Sequence, residues 1–127
     1  MNSLKIEGTP KTPRVEFSGQ GEMEISGKSI LENSVEFYQP IYNWVDQYSV
    51  QPNQKTSIKI QLEYFNTSSS KCLLDIFRKL EAIQKSGKSD VTVMWMYEEE
   101  DEDMMEAGED YQSIVKIPFT ISRIIAE

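Results

Sequence analysis

The chain contains no histidine. Imidazole is the side chain most often used for proton transfer near neutral pH, so its absence excludes His-dependent triads and His-containing zinc sites. Carboxylate and lysine chemistry stay open. Cysteine is nearly as scarce: Cys72 stands alone and cannot form an internal disulfide. Long apolar runs are missing, and none approaches the roughly 20 residues that a membrane-spanning helix needs. The opening Met1-Asn2-Ser3-Leu4-Lys5 lacks the apolar core of a secretory signal. These absences together predict a cytoplasmic protein. Positive charge is also in short supply. Thirteen Lys and Arg face 21 Asp and Glu, for a formal net charge of −8. The basic residues are scattered rather than striped, which argues against nucleic acid, and the acidity argues against an anionic membrane surface. A basic protein partner is compatible with it, although acidity by itself mainly favours solubility.

What is present fits one globular unit. The 127 residues are 39% hydrophobic and 27% charged, enough for a single domain over 1–127 with a real core. Leu4 to Ile6 reads as a short opening strand, followed by a turn-rich Gly8-Thr9-Pro10-Lys11-Thr12-Pro13. Arg14–Ser18 and Glu22–Ser26 flank Gly19-Gln20-Gly21 and predict a β-hairpin that pairs Val15 and Phe17 with Met23 and Ile25. Gly27-Lys28-Ser29 reads as a loop. A helix then starts at Glu32-Asn33-Ser34 and buries Val35, Tyr38, Ile41, Tyr42, Val45 and Tyr48. Pro40 interrupts it, which predicts a kink or the first turn of a second piece.

Ser57 to Tyr64 alternates, with Ile58, Ile60, Leu62 and Tyr64 on the apolar side and Lys59, Gln61 and Glu63 on a wet one. A helix follows, with Leu73, Ile76, Phe77, Leu80 and Ile83 inward, Lys85 in its last turn and Gly87 as a left-handed cap. Asp90 to Tyr97 is a second strong strand. The two strands and the helix between them predict a parallel pair joined by a right-handed crossover. Glu98 to Asp110 reads as a solvated acidic loop, partly helical around Met104 to Ala107. Ser113 to Ser122 reads as a last strand or extended segment, interrupted by Pro118, which places it at a sheet edge. The fold class is α/β: a mixed β-sheet with an N-terminal hairpin and helices packed on one face.

Chemistry concentrates in Tyr64-Phe65-Asn66-Thr67-Ser68-Ser69-Ser70-Lys71. This hydroxyl-rich turn lies at the carboxyl end of a strand, where α/β sheets tend to bind ligands. The free amides and positive end of the following helix accommodate a phosphate, and Lys71 is four residues beyond Thr67. The plainer reading is that Asn66, Thr67 or Ser68 simply caps the helix. No phosphate-binding P-loop is present, because the required glycines are missing. The acidic run lacks the glycine of an EF-hand loop, since Glu106 stands where it belongs. Neither a metal site nor a cofactor is predicted. Cys72 reads as a core thiol, Trp44 and Trp95 as core rings, and Asp75 as a surface partner of Lys71.

Taken in order, several segments resemble the SiaC family of bacterial regulatory phosphoproteins. They are Gly8-Thr9-Pro10-Lys11-Thr12-Pro13, Gly27-Lys28-Ser29, Glu32-Asn33-Ser34, Phe37-Tyr38-Gln39-Pro40-Ile41 with Trp44, and the turn from Tyr64 to Lys71. Trp95 and Pro118-Phe119 also fit, so the resemblance spans nearly the whole chain. It implies a fold like that of STAS domains, the anti-sigma-factor antagonists, and a Pro40 tolerated within the helix. The resemblance further implies that the chain is not an enzyme. A threonine in the Asn-Thr-Ser-Ser turn, here Thr67, is phosphorylated by a protein kinase of histidine-kinase-type ATPase fold. A metal-dependent Ser/Thr phosphatase reverses this. The unphosphorylated form activates a diguanylate cyclase, which makes cyclic-di-GMP. Asn66, Ser68, Ser69 and Lys71 are then the switch turn and partner-binding residues. The rival expectations are a structural or protein-interaction module whose turn is only a cap, and a small enzyme built on the Thr67 turn.

Overall fold

The computed structural model describes residues 1–124. Nine elements follow one another: β1 Leu4–Ile6, β2 Arg14–Phe17, β3 Glu22–Ser29, α1 Ser34–Tyr48, β4 Lys55–Phe65, α2 Thr67–Lys85, β5 Asp90–Glu98, α3 Glu102–Ile114 and β6 Phe119–Ile124. The strands form one sheet in chain order. Neighbours β1 to β3 are antiparallel, and β3 to β6 are parallel. Each parallel step is made through one helix, so three strand–helix–strand units are laid end to end.

The predicted hairpin is present, with Val15 opposite Ile25 and Phe17 opposite Met23. These residues join Ile58, Ile60, Leu62, Val91, Val93 and Trp95 on one sheet face, buried beneath the helices. The opposite face carries Glu24, Lys59, Thr92 and Met94 and stays open to solvent. From α2 come Leu73, Ile76, Phe77, Leu80 and Ile83, all buried, at the helical spacing read from sequence. Gly87 adopts φ +77° just past the cap residue, and Lys85 is in the last turn. Cys72 is buried as a free thiol, and Trp44 and Trp95 are both core rings.

Several sequence expectations need correction. Gly27-Lys28-Ser29 is strand, not loop, and β3 runs on to Ser29. The register explains why it looked irregular. Gly27 pairs with Leu62 but Lys28 pairs with Tyr64, which leaves Glu63 as an extra residue in β4. Gly27 has φ +100°, a conformation that side chains resist. One extra residue inverts the alternation beyond it. Tyr64, expected inside with Leu62, is therefore 54% exposed. Phe65 turns inward instead, edge-on to Trp95 at 6.0 Å between ring centroids.

Val35 is likewise outside the buried stripe, at 61% exposure. It belongs to the first turn of α1. Pro40 neither ends nor divides α1, which is continuous from Ser34 to Tyr48, so the two-piece reading fails. The helix expected around Met104 to Ala107 is present but longer: α3 runs from Glu102 to Ile114, so most of the acidic segment is helix rather than loop. Asp101 caps it, its Oδ1 accepting from Met104 N at 3.1 Å, and Glu102 and Asp103 meet the positive end of the helix dipole. Met104, Gly108 and Tyr111 face inward, where an added Cβ on Gly108 would lie 2.5 Å from Trp95 Cδ1. Because this helix extends through Ile114, the last strand begins only at Phe119, with Pro118 just before it at the sheet edge.

Candidate functional site

The turn between β4 and α2 lies at the carboxyl end of the parallel sheet, beside the start of α1. Asn66 is the cap of α2. Its side-chain oxygen accepts from Ser69 N at 3.0 Å, while its Nδ2 donates to Leu31 O at 2.8 Å. Its backbone N donates to Ser29 O at 3.0 Å. One side chain thus closes the helix start and ties it to the segment between β3 and α1.

Below the turn is a frame of hydroxyls. Tyr38 Oη lies 2.9 Å from Ser29 Oγ, which donates to Ser69 Oγ at 2.8 Å. Ser69 Oγ donates to Ser29 O at 3.0 Å. Ser34 Oγ lies 2.6 Å from Ser68 Oγ, and Ser68 Oγ is 3.2 Å from Leu31 O. Each hydroxyl has one proton, and the chains Tyr38 to Ser29 to Ser69 and Ser34 to Ser68 to Leu31 O use every one. Ser29 spends its one proton on Ser69, so Tyr38 is the donor of the first chain, and burial raises the Tyr38 pKa to about 12. Ser29, Ser34, Tyr38 and Ser69 are all buried, and no buried side-chain polar atom lacks a partner among the described residues. The first turns of α1 and α2 are therefore fixed to each other. Tyr111 adds a third tie from α3, donating to Ser70 O at 2.8 Å.

The predicted site residues separate within this frame. Thr67 is the first residue of α2 and is exposed. Its hydroxyl has no hydrogen-bond partner among the described residues, whereas Ser68, Ser69 and Ser70 each donate theirs. Ser69, expected as a partner-facing residue, is fully buried and holds the turn from inside. Its contact role is thereby replaced by a positioning one. Asn66, rather than Thr67 or Ser68, is the cap. Lys71 is exposed and makes no ion pair among the described residues. Asp75, expected to pair with it, accepts instead from Tyr42 Oη at 3.4 Å. Ser29 and Tyr38 were not evident as site residues, because segments some 30 to 40 positions apart meet only in the fold. Among the described residues no three acidic or cysteine side chains converge as a metal site.

This sheet order and its three crossover helices define a known class of small α/β protein. A solved structure of SiaC of Pseudomonas aeruginosa superimposes with a TM-score of 0.89 at 30% identity, over 98% of this chain and 100% of that one. A structure of diguanylate cyclase SiaD in complex with its activator SiaC, from the same organism, matches with a TM-score of 0.89 at 30% identity, over 95% and 99%. An uncharacterised protein of P. aeruginosa strain UCBPP-PA14 is 31% identical over 122 residues, 95% of this chain and 96% of its own length. The SiaC family regulatory phosphoprotein pattern matches residues 6–124. The chain belongs to the SiaC family of regulatory phosphoproteins.

Proposed function

We propose that the chain is a phospho-switched activator that uses Thr67 as its acceptor and has no catalytic activity of its own. The observation that carries this reading is the contrast within the turn: of four consecutive hydroxyls, only that of Thr67 is without a hydrogen-bond partner among the described residues, and Thr67 is exposed. A kinase can reach it without unmaking the frame. The likeness to an activator solved with a diguanylate cyclase supports such a cyclase as the effector of the unphosphorylated form. A protein kinase and a metal-dependent Ser/Thr phosphatase write and erase the mark, all in the cytoplasm. Among the described residues no helix is long and apolar enough to cross a membrane.

Phosphate adds about −1.5 to −2 charge at neutral pH. At the start of α2 that charge faces free amides and the positive end of the helix, so it does not disturb the fold. A partner packed over Thr67 has to strip water from it, which is costly. The test is site mapping by mass spectrometry on protein from its native host, with and without phosphatase. Cyclase activation by wild type, Thr67→Ala and Thr67→Glu is measured alongside. Phosphate on Thr67, with activation retained in Thr67→Ala and lost in Thr67→Glu, is the expected result. An unmodified protein whose activity ignores both substitutions would refute it.

A further inference from the structure

Parallel strands are seldom left bare on either side, because crossover helices normally bury both faces of the sheet. Here the strands from β3 to β6 run parallel, and the helices pack on one face alone. The other face is open in the single chain. Its composition departs from that of the rest of the surface. The middle of β5 and β6 shows it Thr92, Met94, Met96, Thr120 and Ser122, without a charge among them, in a chain that is 27% charged. Met94 is 44% exposed. Charge depletion together with methionine is the composition of an interface centre.

The charges on this face are balanced. The register places Lys5, Glu16, Glu24, Lys59, Met94 and Thr120 side by side in one row from β1 to β6. Two positive and two negative side chains cancel in that row, whereas the whole chain carries −8. A second acidic copy is repelled by the rest of the surface but not by this row.

The row is also self-complementary. β3 and β4 are the middle strands of the sheet. A two-fold axis along the strands between them therefore lays β3 on β4, β2 on β5 and β1 on β6 of a second copy. Glu24 then meets Lys59 of the second copy, and the symmetry makes that pair twice. Glu16 meets Met94, and Lys5 meets Thr120. In the flanking rows Glu22 meets Ser57 and Ser26 meets Gln61. No like charges face each other. An axis across the strands would instead lay Glu24 on Glu24 and Lys59 on Lys59, so the charges select the first arrangement. It is the aligned packing common to sheet sandwiches, with strands within about 30°. The area is adequate. Strands about 4.8 Å apart, with about six residues of about 3.3 Å each, give a plane of about 600 Å² before side-chain relief is counted, and a stable complex buries about 800 Å² per partner.

We propose that the open sheet face binds a second copy of this chain, forming a two-fold dimer in which the sheets pack with strands aligned and Glu24 pairs with Lys59 of the second copy. The helices, α2 with Thr67 among them, lie on the other side of the sheet, so the dimer is independent of the switch reading given above.

The experiment is sedimentation equilibrium of the purified chain from about 1 μM to about 1 mM. Wild type is compared with Lys59→Glu, Glu24→Lys, the double variant Glu24→Lys/Lys59→Glu, Met94→Asp and the control Lys88→Glu. Lys88 lies beyond the end of α2, and its reversal changes the net charge as Lys59→Glu does. Glu24→Lys makes the chain less acidic, so a weaker dimer there cannot come from general repulsion. Circular dichroism checks that each variant is folded. The expected result is a reversible wild-type dimer that each single change on the face weakens by about tenfold or more, that the double variant restores to within about threefold, and that Lys88→Glu alters by less than about threefold. A wild type that stays monomeric throughout overturns the proposal. So does a dimer indifferent to the changes on the face, which would lie on another surface, and so does a double variant as weak as the single ones.

Discussion

Replacing Thr67 by glutamate should make the free protein more stable, not less. The residue is the first of α2, and the first turn of that helix contains no acidic side chain. A carboxylate there interacts favourably with the helix dipole by about 0.3–1 kcal/mol. Lys71, four residues on and without an ion pair among the described residues, adds about 0.2–0.5 kcal/mol. Repulsion within a chain of net charge −8 subtracts part of this, leaving a gain of about 0.5–1 kcal/mol. At about 2.1 cal/mol/K per residue, 127 residues unfold with an entropy near 0.27 kcal/mol/K, so Tm should rise by about 2–4 °C. Thermal unfolding followed by circular dichroism, at low salt and near 1 M salt, is the assay. The gain should shrink in high salt, where the screening length falls to about 3 Å. Thr67→Ala should stay within about 0.5 kcal/mol of wild type, because no bond is lost. A loss of more than about 1 kcal/mol in either variant would refute the reasoning, since it would place the Thr67 hydroxyl inside the frame.

Asn66→Ala should cost about 1–2 kcal/mol in chemical denaturation, because it removes the cap and the shorter of two donors to Leu31 O, leaving only Ser68 Oγ; a cost below about 0.5 kcal/mol would contradict the capping role. Gly108→Ala gains up to about 1 kcal/mol of helix propensity, but its Cβ meets the buried Trp95 ring and overpacking costs about 1–3 kcal/mol. The net expectation is destabilisation, with a changed Trp95 fluorescence spectrum, and a rise in Tm would show the contact to be slack. Glu81 supplies a pH test. The Lys116 backbone amide, donating to its carboxylate at 2.6 Å, holds its pKa below the usual 4.5, and Lys85 and Arg78 reinforce this against burial. A lowered folded-state pKa gives stability that is complete above the ordinary value and is lost as pH falls through the lowered one. The stability gap between wild type and Glu81→Gln should therefore be constant above the ordinary carboxylate value of 4.5 and close as pH falls through the lowered one; a gap that persists at the acid end would exclude this linkage.

Residues with strong periodicity were legible from the sequence. The inward face of α2, the hairpin register and the parallel pairing of β4 with β5 all follow from spacing, because burial on one side requires it. Asn66 and Thr67 were likewise placed at a strand-to-helix turn. What escaped was set by tertiary contact. Gly27 reads as a loop residue until its partner strand shows an inserted Glu63, and the insertion alone decides whether Tyr64 or Phe65 faces the core. The helix α3 is hidden because its acidic run suggests solvation and its inward face includes a glycine, which counts as a packing residue only beside Trp95. The hydroxyl frame is invisible for a similar reason. Ser29, Ser34 and Tyr38 are unremarkable until α1 and α2 begin side by side.

The rigidity of that frame bears on how little energy the switch requires. A hundredfold loss of affinity corresponds to about 2.7 kcal/mol. Driving a two-state protein from almost wholly one conformation to the other takes about 5.5 kcal/mol of differential binding, about twice as much. Desolvating a charged group without a partner costs at least several kcal/mol, so one phosphate under an apolar contact is sufficient. The free amides at the start of α2 and the nearby Lys71 then have a different part. In the proposed switch they would keep a phosphorylated protein folded and stable while it is unable to bind. This separates two quantities that a conformational switch would couple. In hydrogen exchange, phosphorylation at Thr67 should leave the amides of β3, α1 and α2 protected to the same degree beyond the first turn of α2, even as effector affinity collapses. Widespread deprotection across α1 would instead mean that the phosphate acts by opening the frame.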